Sequence, residues 1–178
     1  RDNTGLDGLG DVLTSNDALS RDLQIRYSLD RRDRGDVVWP RARIQSFRRY
    51  TISLWEATWP SGQLLNPVQE LALYKSVIDR SVMGRALISS TSTARGARRA
   101  GALLTTYGID PSLSAYPHSS ETQAFVEWQA AVDSRLAEMD WTTQDRLVDD
   151  LIRLITERRI ELPPAVQMLG FLNVTPQQ

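Results

Sequence analysis

Lysine occurs once in this chain, at Lys75, histidine once, at His118, and cysteine not at all. A Walker-type phosphate site needs Gly-x-x-x-x-Gly-Lys followed by Ser or Thr, because backbone amides cradle the phosphates while the lysine neutralises them. Lys75-Ser76 instead follows Tyr74 deep inside a predicted helix, where nothing can cradle a nucleotide phosphate. The glycine-rich start, Gly5-Leu6-Asp7-Gly8-Leu9-Gly10, precedes a predicted strand rather than following one, so it reads as linker and not as a dinucleotide fingerprint. Metal sites need several converging ligands, and His118 stands alone in the predicted loop Tyr116-Pro117-His118-Ser119. Serine catalysis would have to use this same histidine as base, and no Gly-x-Ser-x-Gly elbow is present. Asp149-Asp150 are adjacent on a predicted helix and so face different directions, as expected of a solvated face. We therefore assign no catalytic, cofactor-binding or metal residue.

Arginine is the remaining source of chemistry. Arg48-Arg49 follow a predicted strand end, and Arg95 with Arg98-Arg99 share one predicted helix at a spacing that puts two of them on one face. Two readings stay open for these clusters: phosphate grips, each adding salt-dependent affinity, or residues that solubilise a helix surface. Trp39, Trp55, Trp59, Trp128 and Trp141 could stack on bases, while Trp55 and Trp128 fall on apolar stripes that predict core packing.

The elements that position these residues follow from pattern. Residues 1–10 are polar and glycine-rich and read as a flexible lead-in. Asp11-Val12-Leu13-Thr14 predicts a short strand, and Ser15-Asn16-Asp17 can cap a helix carrying Leu19, Leu23 and Tyr27. A mixed-charge turn is expected at Arg31 to Asp36, then an extended stretch from Val37 that contains a second strand, Ile44-Gln45-Ser46-Phe47. Arg48 to Thr58 predicts a helix with Ile52, Trp55 and Trp59 on its stripe. Asn66 as N-cap, Pro67 in the first helical position and Gln69 three after the cap open the next helix, whose buried face is Leu71, Tyr74 and Ile78. Thr91 to Tyr107 predicts a small-residue helix stopped by Gly108. Ser120 with Gln123 opens another, striped by Phe125, Trp128, Val132, Leu136 and Met139. Thr142 with Asp145 opens a sixth, carrying Leu147, Leu151, Ile152 and Ile155, and Ala165 to Phe171 predicts a buried returning strand. Strand and helix twice, a block of helices and a returning strand form the pattern of a helix-rich α/β fold, a parallel sheet with a large helical insertion. The expected division is 1–10 lead-in, 11–60 first part of the α/β domain, 61–160 helical insertion and 161–178 returning strand.

Composition bounds the functions. The 178 residues are 41% hydrophobic and 24% charged, values of an ordinary globular domain. No apolar run approaches the roughly 20 residues that span a bilayer, and no leader is evident, so a cytoplasmic protein without a membrane partner is expected. The net charge of −1 excludes a strong uniform field for nucleic acid, so any DNA contact must be local. The start at Arg1 and the end at Thr175-Pro176-Gln177-Gln178 lead us to expect a piece of something longer.

Several ordered motifs are together similar to one bacterial family. They are Val12-Leu13-Thr14-Ser15-Asn16 before a helix, Ile44-Gln45-Ser46-Phe47 leading to Trp55, the start Leu65-Asn66-Pro67-Val68-Gln69-Glu70-Leu71-Ala72-Leu73-Tyr74, Phe125-x-x-Trp128, and Leu169-Gly170-Phe171-Leu172-Asn173-Val174-Thr175-Pro176-Gln177-Gln178. The chain resembles, over residues 11–178, DNA repair proteins of the AddB and RecB exonuclease type. These carry a helicase-like N-terminal half and a PD-(D/E)xK nuclease at the C-terminus. The resemblance implies a helicase-like region with a degenerate P-loop, in which Thr14-Ser15-Asn16 stands where an ATPase has its phosphate loop. Where the family usually has basic residues after the Asn, this chain has Asp17-Ala18. Ser46-Phe47-Arg48 resembles the place where related helicases touch single-stranded DNA. The implied role is a non-catalytic module for DNA repair and recombination, binding DNA weakly through Ser15, Asn16, Phe47, Arg48 and Arg49, without a cofactor. The nuclease, a hydrolase, would be another domain of the same parent protein. The alternative is a helical protein–protein interaction scaffold with no nucleic-acid role.

Overall fold

The computed structural model describes residues 10–110 and 119–177, so most of the glycine-rich start and all of Tyr116-Pro117-His118 lie outside the described residues. The chain divides into two compact units, one of residues 1–58 and 151–174 and one of residues 59–150 and 175–178. The architecture is α/β and helix-rich, with small parallel sheets.

The first unit is organised by a three-stranded parallel sheet of β1 (Asp11–Thr14), β2 (Ile44–Ser46) and β5 (Val166–Leu169), in the order β2-β1-β5. Parallel neighbours need a crossover, and α1 (Asp17–Asp33) supplies it between β1 and β2. The central strand buries Val12, Leu13 and Thr14, and β2 buries Ile44 and Ser46. Asn16 opens α1 as N-cap, its Oδ1 accepting from the Leu19 N–H at 2.9 Å. The buried Thr14 hydroxyl donates its one proton to the Asn16 carbonyl at 2.9 Å, which leaves Ser20 to donate to Thr14 Oγ1 at 2.6 Å. These bonds fix the angle at which the chain leaves the sheet. α1 runs into the expected charged turn as far as Asp33, and Gly35, at φ 87°, reverses the chain after it.

β2 ends at Ser46, and Phe47 is the first residue of α2 (Phe47–Ala57) instead of the last of the strand. The reason is Ser46, whose Oγ accepts from the Arg49 N–H and starts the helix one residue early. Trp59 does not continue the α2 stripe: it lies past the helix end at φ 50° and is 92% exposed. β5 forms as expected but is not buried, and all four of its residues are exposed. As an edge strand of this sheet it gains one hydrogen-bonded neighbour, β1, and little cover on its faces.

The second unit is a helical core joined to a two-stranded parallel sheet, β3 (Gln63–Leu64) with β4 (Trp141–Thr142). α3 (Pro67–Arg80) begins with both halves of the capping box, Asn66 accepting from Gln69 N–H and Gln69 from Asn66 N–H. α4 (Ser90–Tyr107) stops at Gly108 in the left-handed conformation. α5 (Ser120–Glu138) is capped by Ser119, not Ser120, through the Thr122 N–H. Leu73, Tyr74 and Ile78 of α3, Ala94 and Ala97 of α4, and Trp128, Val132 and Leu136 of α5 form the core. Met139 falls past the end of α5 and is 42% exposed, so it is not part of that stripe. Thr142 belongs to β4 and does not cap α6 (Leu147–Thr156); its hydroxyl donates to Asp150 at 3.0 Å. α6 crosses the boundary between the units and buries Leu147, Leu151 and Leu154, at helical spacing, while Ile152 is exposed. Among the described residues no helix is long and apolar enough to cross a membrane.

Candidate functional site

In open parallel sheets ligands bind outside the carboxyl ends of the strands, next to the point where the strand order reverses. Thr14, Ser46 and Leu169 end their strands side by side at one edge of the three-stranded sheet. The chain leaves β1 toward β2 and later returns to the opposite side of β1, so the reversal falls at this edge. All five residues singled out from the sequence, Ser15, Asn16, Phe47, Arg48 and Arg49, directly follow β1 or β2 and share it.

Their chemistry differs. The turn after β1 is only Ser15-Asn16, too short to wrap a phosphate as a glycine-rich loop does. Its polar groups are also engaged. The Ser15 N–H donates to the Leu169 carbonyl at 3.1 Å, Asn16 Oδ1 is the helix cap, and Asn16 Nδ2 donates to Ser15 Oγ at 3.2 Å. The N-terminus of α1, which would favour an anion, is taken by its own Asp17 carboxylate. Asp17 accepts from the buried Ser46 hydroxyl, with Arg49 Nε 4.0 Å away.

Phe47 is half-buried and meets Phe171 edge to face, the ring centroids 6.4 Å apart at 88°. Arg48 and Arg49 are exposed on the first turn of α2. Arg48 has no acidic partner among the described residues, and Arg49 reaches Asp17 only at 4.0 Å with 71% of its side chain exposed. Of the five, these two present charge to solvent. Gly170, at φ 77°, closes the edge on the β5 side, where an added Cβ would lie 2.5 Å from Leu19 Cδ2 and 3.1 Å from Ser15 Oγ.

The other sequence candidates lie in the helical unit. Lys75 Nζ is held by Asp79 at 2.5 Å within α3. Arg98 is not a free phosphate grip, because it pairs with the buried Glu70 at 3.4 Å, leaving Arg95 and Arg99 exposed on α4. Burial pushes the Glu70 carboxyl above the ordinary range, and Arg98 partly offsets that. Asp149 and Asp150 have separate partners, Gln177 and Thr142. Among the described residues no group of three or more histidine, aspartate or glutamate side chains could hold a metal ion.

Three arginines escaped the sequence reading. Arg21 on α1 and Arg41 and Arg43 ahead of β2 line a cleft of about 560 Å³ beside this edge. They are separated by the length of the crossover, so no local motif announces them. No family model, no curated protein and no solved structure matches the chain.

Proposed function

We propose that the chain is a non-catalytic, helicase-like module of a cytoplasmic DNA repair or recombination exonuclease, in the manner of a degenerate P-loop helicase domain. It holds single-stranded DNA weakly for a nuclease domain elsewhere in the same parent protein. The observation that carries this reading is the exposure of Arg48 and Arg49 on the first turn of α2, directly beyond the Ser46 end of β2. Phosphates are gripped there by two local charges, which suits a chain whose net charge of −1 provides no general attraction. The short Ser15-Asn16 turn, with its Ser15 N–H and Asn16 side chain engaged, supports a non-hydrolytic role, and titration with Mg-ATP is expected to give no saturable heat.

The test is single-strand binding at low salt. Replacing Arg48 and Arg49 together by alanine weakens binding and leaves the thermal midpoint nearly unchanged, since both side chains are exposed. The control replaces Arg158 and Arg159, which are also exposed, beyond α6. Equal binding by the two double variants ends the Arg48-Arg49 grip, and no salt-sensitive binding by the parent chain ends the DNA-holding role.

A protein-interaction scaffold is the second reading, and β5 favours it. Val166, Met168 and Leu169 are each more than a third exposed on an edge strand, followed by exposed Leu172 and Val174. Such an edge can take up a strand from a partner.

A further inference from the structure

We infer that the cleft between α1 and the outer edge of β2 is a track for the sugar–phosphate backbone of a single-stranded nucleic acid. It would extend the Arg48-Arg49 contact along the sheet, and it rests on the DNA-holding reading above. One wall is α1, where Asp17, Ser20, Arg21 and Gln24 recur at the 3, 4 and 7 spacing of a single helix face. The other wall runs from Arg41 through Gln45, and Arg49 stands at the end nearest the strand carboxyl edge.

Among the described residues four arginines line this cleft against two aspartates, Asp11 and Asp17, and Asp17 already accepts from Ser46. Three of the four, Arg21, Arg41 and Arg43, differ from their neighbours in lacking acidic partners among the described residues. Elsewhere on α1 and in the turn after it, Arg26 pairs with Asp22 at 2.9 Å, Arg31 with Asp36 at 3.1 Å, Arg32 with Asp33 at 3.2 Å and Arg34 with Asp30 at 2.8 Å. Arg21, Arg41 and Arg43 are exposed and have no acidic partner among the described residues. Like charges gathered in a concave site focus a field that ordinary surface ion pairs cancel.

The lining also selects the kind of anion. The volume of about 560 Å³ and the spread of guanidinium groups along two walls suit a chain of phosphates better than one small ion. An added peptide strand is opposed. The Val12 N–H donates to the Arg43 carbonyl, so Ile44, one residue on, turns its carbonyl to the outer edge, where Gln24 Nε2 already donates to it at 2.5 Å. Among the described residues no aromatic side chain lines the cleft, so bases find no stacking surface there and contact is limited to the backbone. Binding is therefore indifferent to base sequence.

The experiment measures fluorescence anisotropy of labelled oligothymidylate, of about 20 nucleotides, against salt for the full chain. The variants are Arg41→Ala/Arg43→Ala and Arg48→Ala/Arg49→Ala, with Arg26→Ala as control. Losing two phosphate contacts reduces the slope of log affinity against log salt by about 1.4, at about 0.7 for each single-strand contact. The Arg41/Arg43 variant is expected to bind roughly tenfold more weakly at low salt, with an unchanged thermal midpoint. Arg26→Ala is expected to leave the slope alone. An unchanged slope in the Arg41/Arg43 variant, while Arg48/Arg49 still matters, removes the track and leaves the edge site standing. Loss in the Arg41/Arg43 variant alone keeps the track and removes the edge site, and no effect of either removes both. The track is also overturned if polyglutamate competes as well as unlabelled oligothymidylate, or if oligothymidylate and oligoadenylate differ in affinity more than the parent chain's Arg41/Arg43 effect.

Discussion

Tyr74 donates its hydroxyl proton to Gln129 Oε1 at 2.9 Å, tying α3 to α5 inside the helical core, and Gly101 of α4 lies against both atoms. The pair is a fixed part of that core. Gln129 Nε2 donates to Asp133 Oδ1 at 2.8 Å, which sets the direction of its amide, and burial pushes the Tyr74 hydroxyl up to about 12, so it keeps its proton. A Cβ at Gly101 would stand 2.4 Å from each of the two oxygens. Gly101→Ala is therefore expected to part the bond and to destabilise the chain by about 1–3 kcal/mol, even though alanine is the better helix former. Gly96 is in the same helix with nothing within 4 Å of its added Cβ, so Gly96→Ala is expected to stabilise by roughly 0.5–1 kcal/mol. Thermal melts of the two variants check this, and shifts of the same sign would sink the packing argument.

Tyr50 is the opposite case. Its hydroxyl on α2 is buried and has no hydrogen-bond partner among the described residues, and burial followed by the nearby Asp11 carboxylate raises its pKa. A buried donor without a partner costs about 1–3 kcal/mol, while the ring still contributes packing. Tyr50→Phe keeps the ring and removes the orphan. It is expected to raise stability by up to about 1 kcal/mol in denaturant titration, and a clear loss would mean that the hydroxyl has a partner.

The acidic groups of the helical unit set a pH dependence. Burial raises the Glu70 carboxyl, with Arg98 opposing and Asp145 adding, and burial likewise raises Asp145 against Arg98. A folded-state pKa above the unfolded value means that the folded chain holds its proton longer. The contribution is fully present below the unfolded pKa and is lost as pH rises through the folded one. Stability from this source therefore falls as pH climbs from the ordinary carboxylate range through the raised one. Asp79, lowered by its bond to Lys75, and Glu121, lowered by its own backbone N–H, act with the opposite sign and lose their contributions as pH falls below the ordinary carboxylate range. In Glu70→Gln the decline with rising pH is expected to be shallower than in the parent chain. Parallel midpoint curves for the two across this window would show that Glu70 does not titrate there.

Where local chemistry decides, the sequence was legible to the residue. Asn66, Pro67 and Gln69 mark the start of α3 and Gly108 the end of α4, because capping there needs no help from distant residues, while Ser15-Asn16-Asp17 marks the start of α1 to within a residue and the structure makes Asn16 the cap. At α5 the Ser120 and Gln123 spacing points to the wrong one of two adjacent serines, and the bond from Thr122 N–H to Ser119 places the cap one residue earlier. β3 and β4, of two residues each, are too short to show a period. Their pairing depends on the Gln63 N–H reaching the Asp140 carbonyl at 2.9 Å, a relation between segments far apart in the chain. The apolar run at β5 reads as buried because parallel strands are usually covered on both faces, a property of neighbours that its own residues do not encode. The same division holds at the candidate site. Ser15, Asn16, Phe47, Arg48 and Arg49 follow strand ends visible in the pattern, whereas Arg21 meets Arg41 and Arg43 only through the fold of α1 onto β2.

Gly170 tests whether the strand edge itself is held as described. It follows β5 at φ 77°, a conformation that costs a residue with a Cβ roughly 1–2 kcal/mol, and an added Cβ would also press on Leu19 Cδ2 at 2.5 Å. Leu19 is a flexible, half-buried side chain and can give way, so the backbone cost sets most of the penalty. Gly170→Ala is expected to lower the thermal midpoint by roughly 2–8 °C for a chain of this size. Gly170→Asn meets the same side chain but tolerates the left-handed region better, so it is expected to lose less despite its greater bulk. If asparagine proves worse than alanine, crowding against Leu19 and Ser15 governs this turn rather than backbone conformation. The Ser15 N–H bond to the Leu169 carbonyl would then be the contact that the larger side chain breaks.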